Sequence, residues 1–299
     1  METGVKGTSE KIFQCVIIVV LTIFALLAIL PFLLLLSSSL TDEKSLLADG
    51  YRFITSNFSA YAYEYLFITN SAKIFKSYSI TFFITVFGTV LSLMIGPMLA
   101  YPLSRKDYPR KNVLTFVVFL TMLFNGGIVP SYIMWTQIFH IKNTIWALIF
   151  PNLVFNGFYI MLFKNSFATN IHPALIEAAK IDGAGEFYIY RKIVLPLSLP
   201  ILASIGLMVG LGYWNDWTNG LYYINDTSLY SLQNLLNSIM NNINALASLS
   251  SSANVGTGDL PGTGIRMAMA VIGVLPIMVL YPFFQKYFIK GIALGGVKE

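Results

Sequence analysis

The sequence predicts an all-α polytopic membrane protein with six spanning helices. Three observations lead there. Only 11% of the 299 residues are charged, against about 25% in soluble domains. The chain is 56% hydrophobic and 15% aromatic, with a mean hydropathy of +0.69. Its apolar residues also fall into charge-free blocks near the roughly 20 residues that cross a bilayer as a helix. A soluble domain of this length needs far more charge to cover its surface, and disorder needs the opposite bias.

The first block, 12–38, is too long for a signal-peptide core. It has no small-x-small cleavage site followed by polar sequence, so it reads as a helix, with Pro31 kinking it or marking its outer end. Further spans follow at about 77–102, 112–133, 143–163, 195–214 and 267–285. Residues 1–11 are then an inner terminus and 12–299 a single membrane domain. The outer loop before the second span is rich in Tyr and Phe, which suits either a short interfacial helix or a docking surface for an external partner. Residues 227–258 are also charge-free, but their Asn and Ser content keeps them out of the bilayer. Within them Leu229, Leu232, Leu235, Leu236, Ile239 and Ile243 recur at three- and four-residue steps. That is the period of an amphipathic helix, which lies in the outer loop 218–264 and either packs on the span ends or reaches a partner. Gly206-x-x-x-Gly210 in the fifth span has the spacing of a helix-packing motif.

The net charge of +5 is an orientation signal. With the N-terminus inside, thirteen of the 19 Lys and Arg fall on the inner side while the acidic residues divide evenly. This bias places both termini in the cytoplasm. No basic stripe is present, so nucleic acid is excluded as a partner. The single cysteine, Cys15, and two distant histidines, His140 and His172, supply neither a disulfide nor a cysteine-based metal site. No polar groups pair up inside spans as an intramembrane catalytic site requires, so no catalytic residues are expected. No G-x-x-x-x-G-K-[ST] run occurs, so the chain does not cradle ATP phosphates by that motif.

The inner loop 164–192 is the most informative segment. Pro173 suits the first turn of a helix, Ala174–Lys180 are strong helix formers, and Gly183 suits the C-terminal cap. A second short helix is expected over Glu186–Lys192. Two helices about a glycine turn, with small alanine faces, form a knob that another protein can approach closely.

Glu177-Ala178-Ala179, three residues, Gly183, nine residues, Ile193, one residue and Leu195-Pro196 match the EAA loop of ABC importer permeases. Asn125-Gly126-Gly127-Ile128-Val129-Pro130-Ser131-Tyr132, Trp214-Asn215-Asp216 and Gln285-Lys286-Tyr287-Phe288-Ile289-Lys290-Gly291 resemble segments of the carbohydrate permeases among them. The chain therefore resembles the MalG-like, LplC-like subunits of maltose-type sugar importers, from about residue 12 to 298. The Ser/Gly-rich stretch 248–264 departs from that pattern.

The resemblance implies a type I importer (MetI-like) fold in a bacterial plasma membrane. It implies a heterodimer with a MalF-like or LplB-like second permease, two ATP-binding subunits and an external solute-binding protein. ATP and Mg would sit on the ATPase subunits, with no cofactor on this chain. Glu177, Ala178, Ala179, Asp182, Gly183, Ala184, Ile193, Leu195 and Pro196 would form the coupling site. Where polar or aromatic groups interrupt spans, a solute path is expected, with Asn152, Asn156, Tyr213, Trp214, Asn215, Asp216 and Trp217 as candidates. Aromatic faces and amides suit a sugar, although the two tryptophans equally suit an interfacial belt. A carbohydrate is the expected cargo, and a peptide or amino acid the alternative.

Overall fold

The computed structural model describes residues 8–55, 57–69, 71–151, 154–252 and 262–295. Apart from an isolated bridge between Thr41 and Phe58, every regular element among them is helical. In chain order these are α1 (Thr8–Ser39), α2 (Glu43–Asp49), α3 (Tyr61–Glu64), α4 (Ser71–Ser104), α5 (Lys111–Leu123), α6 (Ile128–Ile133) and α7 (Gly157–Asn170). They continue with α8 (Pro173–Ile181), α9 (Glu186–Ile189), α10 (Leu195–Leu197), α11 (Leu199–Trp214), α12 (Thr218–Tyr223), α13 (Leu232–Ser252) and α14 (Thr263–Gly295).

Three of these are long and apolar enough to cross a bilayer: α1, α4 and the Thr263–Pro282 part of α14. Two bent pairs pass the same test. Lys111–Leu123 and Ile128–Ile138 meet at 112°, and Glu186–Leu197 and Leu199–Trp214 at 79°. The third and fifth expected spans are therefore sharply bent rather than straight.

The fourth, expected over 143–163, is not one helix. Among the described residues of 143–156 the one helical element is a 3₁₀ turn, Ile145–Leu148, before α7 starts at Gly157. Asn143 adopts φ 61°, and its Oδ1 accepts the backbone N–H groups of Asn225 (2.8 Å) and Asp226 (2.9 Å). Pro151 has no N–H to continue a helix and restricts Phe150 before it. Asn156 then caps α7, its Oδ1 accepting from the Phe158 N–H at 2.9 Å. Hydropathy sees an apolar block here, but the backbone is stopped at both ends.

The chain forms two compact units. The first comprises residues 1–71 and 240–274. In it the Tyr-rich loop is ordered by hydrogen bonds, including Ser39 Oγ to the Tyr63 hydroxyl at 2.7 Å. Glu43 spends both carboxylate oxygens on the start of α14, accepting from the Thr263 and Gly264 N–H groups at 2.8 Å each. A carboxylate at a helix N-terminus satisfies orphan donors and opposes the positive end of the dipole.

The second unit comprises residues 72–239 and 275–299. Its main core packs Phe163 and Phe167 of α7, Ile176 of α8, Ile189 of α9, and Ile205, Val209 and Tyr213 of α11 against Ala100, Tyr101 and Leu103 of α4. A second cluster gathers Ile84, Ala147, Leu148, Ile149, Tyr223 and Ile224. The expected amphipathic helix is α13, starting at Leu232, whose N–H donates to Thr81 Oγ1 at 2.7 Å. Leu232, Leu235, Leu236 and Ile239 are its buried stripe.

The helices α4 and α11 meet along a seam of small residues. A Cβ at Gly206 would lie 3.0 Å from Leu93, and Gly210 faces Thr89. At Gly88 the approach is closer still, because an added Cβ would stand 2.3 Å from the Tyr213 ring. That ring is fully buried and anchored by its hydroxyl, which donates to the Ile149 carbonyl at 2.8 Å. Gly88→Ala should therefore lower stability by about 1–3 kcal/mol, read as thermal denaturation in detergent. Adding Tyr213→Phe should give no relief because the clash is with the ring, whereas adding Tyr213→Leu should recover part of the loss. An unchanged melting temperature for Gly88→Ala would contradict this packing.

Candidate functional site

The loop carrying Glu177-Ala178-Ala179 is built by local backbone chemistry. His172 caps α8, its Nδ1 accepting from the Ala174 N–H at 3.3 Å, and Pro173 occupies the first turn. At the other end Gly183 adopts φ +79°. Its N–H donates to the Lys180 carbonyl at 3.0 Å, and the Ala184 N–H donates to the Ala179 carbonyl at 2.9 Å. This pair of bonds is a Schellman cap, which requires a left-handed residue where glycine fits without strain. Asp182 is the C-cap residue, and α9 begins three residues after Gly183.

The motif residues divide by face. Glu177, Ala178, Asp182 and Gly183 are exposed, while Ala179, Ala184, Ile193 and Leu195 are partly buried against the main core. The two alanines, expected to act together, thus differ: Ala178 is exposed and Ala179 is half-buried. Ile176 is the one buried residue of α8. Pro196 is exposed in α10, directly after a π-helical turn, Tyr190–Val194. A proline cannot donate to the preceding turn, and the widened turn followed by the 79° bend absorbs that loss.

The sequence reading missed the apolar side of this loop. Leu175, Phe187 and Tyr188 are exposed, and Ile181 is 87% exposed. A cavity of about 340 Å³ opens between α8 and the end of α4, with Tyr101, Arg105, Asp107, Ile176, Glu177 and Lys180 in its wall.

The reading also missed an ionic ring behind the loop. Arg105, just past the end of α4, forks onto Asp107: its Nε donates to Oδ1 at 2.8 Å and its Nη2 to Oδ2. The same guanidinium reaches Glu186 Oε2 at 3.3 Å. Lys180 Nζ closes the circuit, 3.1 Å from Asp107 Oδ2 and 3.0 Å from Glu186 Oε1. The Tyr101 hydroxyl donates to Glu186 Oε2 at 2.8 Å. The hydrogen bonds from Arg105 hold the Asp107 carboxyl well below the usual carboxylate range, with Lys180 adding to the effect. Burial raises the Glu186 carboxyl, but hydrogen bonds from Lys180 and Tyr101 outweigh it and leave the group lowered. Asp107 and Lys180 are 73 residues apart, so spacing along the sequence carried no sign of the ring.

The solute-path candidates meet different fates. Tyr213 is committed to the core. Asn156 caps α7, and Asn215 donates to the Leu211 carbonyl at 3.0 Å. Asp216 Oδ1 accepts the Thr218 and Asn219 N–H groups at 3.1 Å each, while burial raises its carboxyl against those bonds. Trp217 is half exposed, and Asn152 lies outside the described residues. Trp214 lines a groove of about 620 Å³ with Tyr78, Phe82, Leu275 and Pro276, its ring centroid 6.3 Å from that of Tyr78. Of the lining residues the sequence singled out Trp214 alone, and Tyr78 is the aromatic nearest to it.

The chain as a whole is similar to known proteins. The chain is 37% identical over 290 residues to the polygalacturonan/rhamnogalacturonan transport system permease protein YtcP of Bacillus subtilis (strain 168), covering 97% of this chain and 99% of that one. It is 35% identical to Protein LplC of the same organism, over 91% of this chain and 90% of its relative. Among solved structures it matches a bacterial ABC transporter involved in the import of the acidic polysaccharide alginate. The TM-score there is 0.77 and the identity 28%, covering 96% of this chain and all of that one. Residues 70–294 match the binding-protein-dependent transport system inner membrane components, and the chain belongs to that family.

Proposed function

We propose that this protein is the membrane-spanning permease subunit of an ABC importer that carries an oligosaccharide or polysaccharide inward by ATP-driven alternating access. The observation that carries the reading is the α8–Gly183–α9 knob. A rigid Schellman turn presents Glu177, Ala178 and exposed apolar side chains to an outside partner, while the other face is packed into the core. On this reading the partner is an ATP-binding subunit, and the loop is its seat. ATP and Mg belong to that subunit. The small Ala178 side chain allows close approach, and the cavity beside Glu177 admits a side chain of the partner.

Two ATP-binding subunits, a second permease and an external solute-binding protein complete the assembly, with both termini of this chain in the cytoplasm. Closure of the ATPase dimer moves the knob, and packed helices convert that into rigid-body rocking. The relatives named for polygalacturonan, rhamnogalacturonan and alginate support an acidic polysaccharide or its oligomers as the cargo. The Trp214–Tyr78 groove offers an aromatic face of the kind that stacks on sugar C–H surfaces.

Gly183→Val places a β-branched residue at φ +79°, where such side chains are strained by about 1–2 kcal/mol. In proteoliposomes holding the whole transporter, this variant should insert normally but lose both uptake and binding-protein-stimulated ATP hydrolysis. Normal values of both would sink the assignment of the loop.

Trp214→Ala and Tyr78→Ala should raise the KM for uptake of oligogalacturonides about tenfold, in keeping with the loss of one stacking contact and its packing, and leave basal ATP hydrolysis unchanged. If KM stays at the wild-type value in both, the groove is not part of the path. Titrating the solute-binding protein with oligogalacturonides and with peptides decides the cargo class, and selective binding of peptides would overturn the carbohydrate reading.

A further inference from the structure

We infer that the ring of Arg105, Asp107, Lys180 and Glu186 is the transmission joint of the coupling loop. It fixes α8 and α9 to the end of α4, so that a displacement of the knob is carried into α4 as movement of one rigid body. This rests on the reading of the loop as the ATPase seat, and adds four positioning residues that act through it.

The geometry is what singles the ring out. Each cation bridges both carboxylates, and each carboxylate bridges both cations. Lys180 lies in α8 and Glu186 opens α9, one on either side of the Gly183 turn, whereas Arg105 and Asp107 follow directly after α4. The ring therefore ties both arms of the knob to one helix end.

A lone exposed ion pair contributes little and permits slack. This ring differs in three respects. The Arg105 side chain is only 11% exposed, which prevents it from swinging out. Its two-pronged grip on Asp107 sets an angle as well as a distance. Tyr101, within α4 itself, holds Glu186 from a third direction.

The charges balance at two against two, so removing any one leaves an unmatched partner beside the loop. Because Asp107 is depressed in the folded state, its contribution is present above the unfolded carboxylate value of about 3.9 and is lost only as pH falls below it. The ring is thus fully ionised at neutral pH.

The test uses the complete transporter in proteoliposomes, comparing binding-protein-stimulated with basal ATP hydrolysis. Uptake of the solute carried by its binding protein is followed in parallel. Lys180→Gln and Asp107→Asn should each reduce the stimulation ratio about three- to tenfold, by raising the basal rate rather than abolishing hydrolysis. The double variant should be no worse than either single one, and Lys180→Arg should keep most of the ratio. The loss in Asp107→Asn should be constant from about pH 6 to 8, as expected for a group ionised throughout that range.

In a Cys15→Ser background, Asp107→Cys/Lys180→Cys joined by a short bis-methanethiosulfonate cross-linker, each thiolate displacing methanesulfinate to form a disulfide, should recover coupling, since the linker replaces the ionic joint with a covalent one. Unchanged ratios in the single variants would overturn the proposal. So would a linker that arrests transport, because the ring would then have to open during the cycle. If Gly183→Val uncouples while Lys180→Gln does not, the ring proposal alone falls. If neither uncouples, the loop is not the seat and both readings fall.

Discussion

The close approach of α4 and α11 is the contact on which the rest of the second unit depends. Lipid tails are as apolar as leucine, so helices in a bilayer gain little from hiding side chains from one another. Tight backbone approach and satisfied polar groups must do the holding. Gly206 and Gly210 of α11 receive the side chains of Leu93 and Thr89 of α4, and the Tyr213 ring fills the notch that Gly88 leaves. The hydroxyl of the same tyrosine then bonds the Ile149 carbonyl, in a stretch that is not helical. Irregular backbone at membrane depth is tolerated only where protein satisfies it. One side chain thus closes the seam and makes the neighbouring irregular segment possible.

The same accounting explains several polar residues within or beside the apolar blocks. Asn143, Asn156 and Asp216 each accept backbone N–H groups where a helix starts or a turn closes, and Asn219 donates to the Pro151 carbonyl at 3.1 Å. Buried backbone groups that lack a helical partner need such acceptors and donors. A polar residue within an apolar block is therefore first a candidate for a cap and only then for a solute contact. Trp214 stands apart, because its ring meets a groove beside Tyr78.

This distinction marks how far the sequence could be read. Composition and block length reveal the helical membrane class, because they report averages over many side chains. The α8–Gly183–α9 knob is legible residue by residue, since proline, alanine and glycine act there through local backbone preferences. The amphipathic stripe of α13 is legible for the same reason. Hydropathy fails at 143–163, where Asn143 and Pro151 interrupt the backbone without lowering the average enough to show. The ring was invisible as well. Lys180 and Glu186 flank the turn, but their partners lie some 73 and 81 residues away, and only the fold brings them together. As isolated charges they read as orientation signals, which is what most charges in such a chain are.

The division of the motif between two faces gives the loop its mechanical character. An element that passes on a displacement must be held on both sides, by the body that drives it and by the body that it drives. Glu177, Ala178, Leu175 and Ile181 are turned outward, whereas Ala179, Ala184, Ile193 and Leu195 are turned toward the core. A thick, loosely packed knob would take up a small displacement in its own side chains. Close packing inside transmits strain because protein interiors compress little, and the ring extends that stiffness to the exposed end of α4, where apolar packing runs out and only hydrogen-bonded charge can continue it.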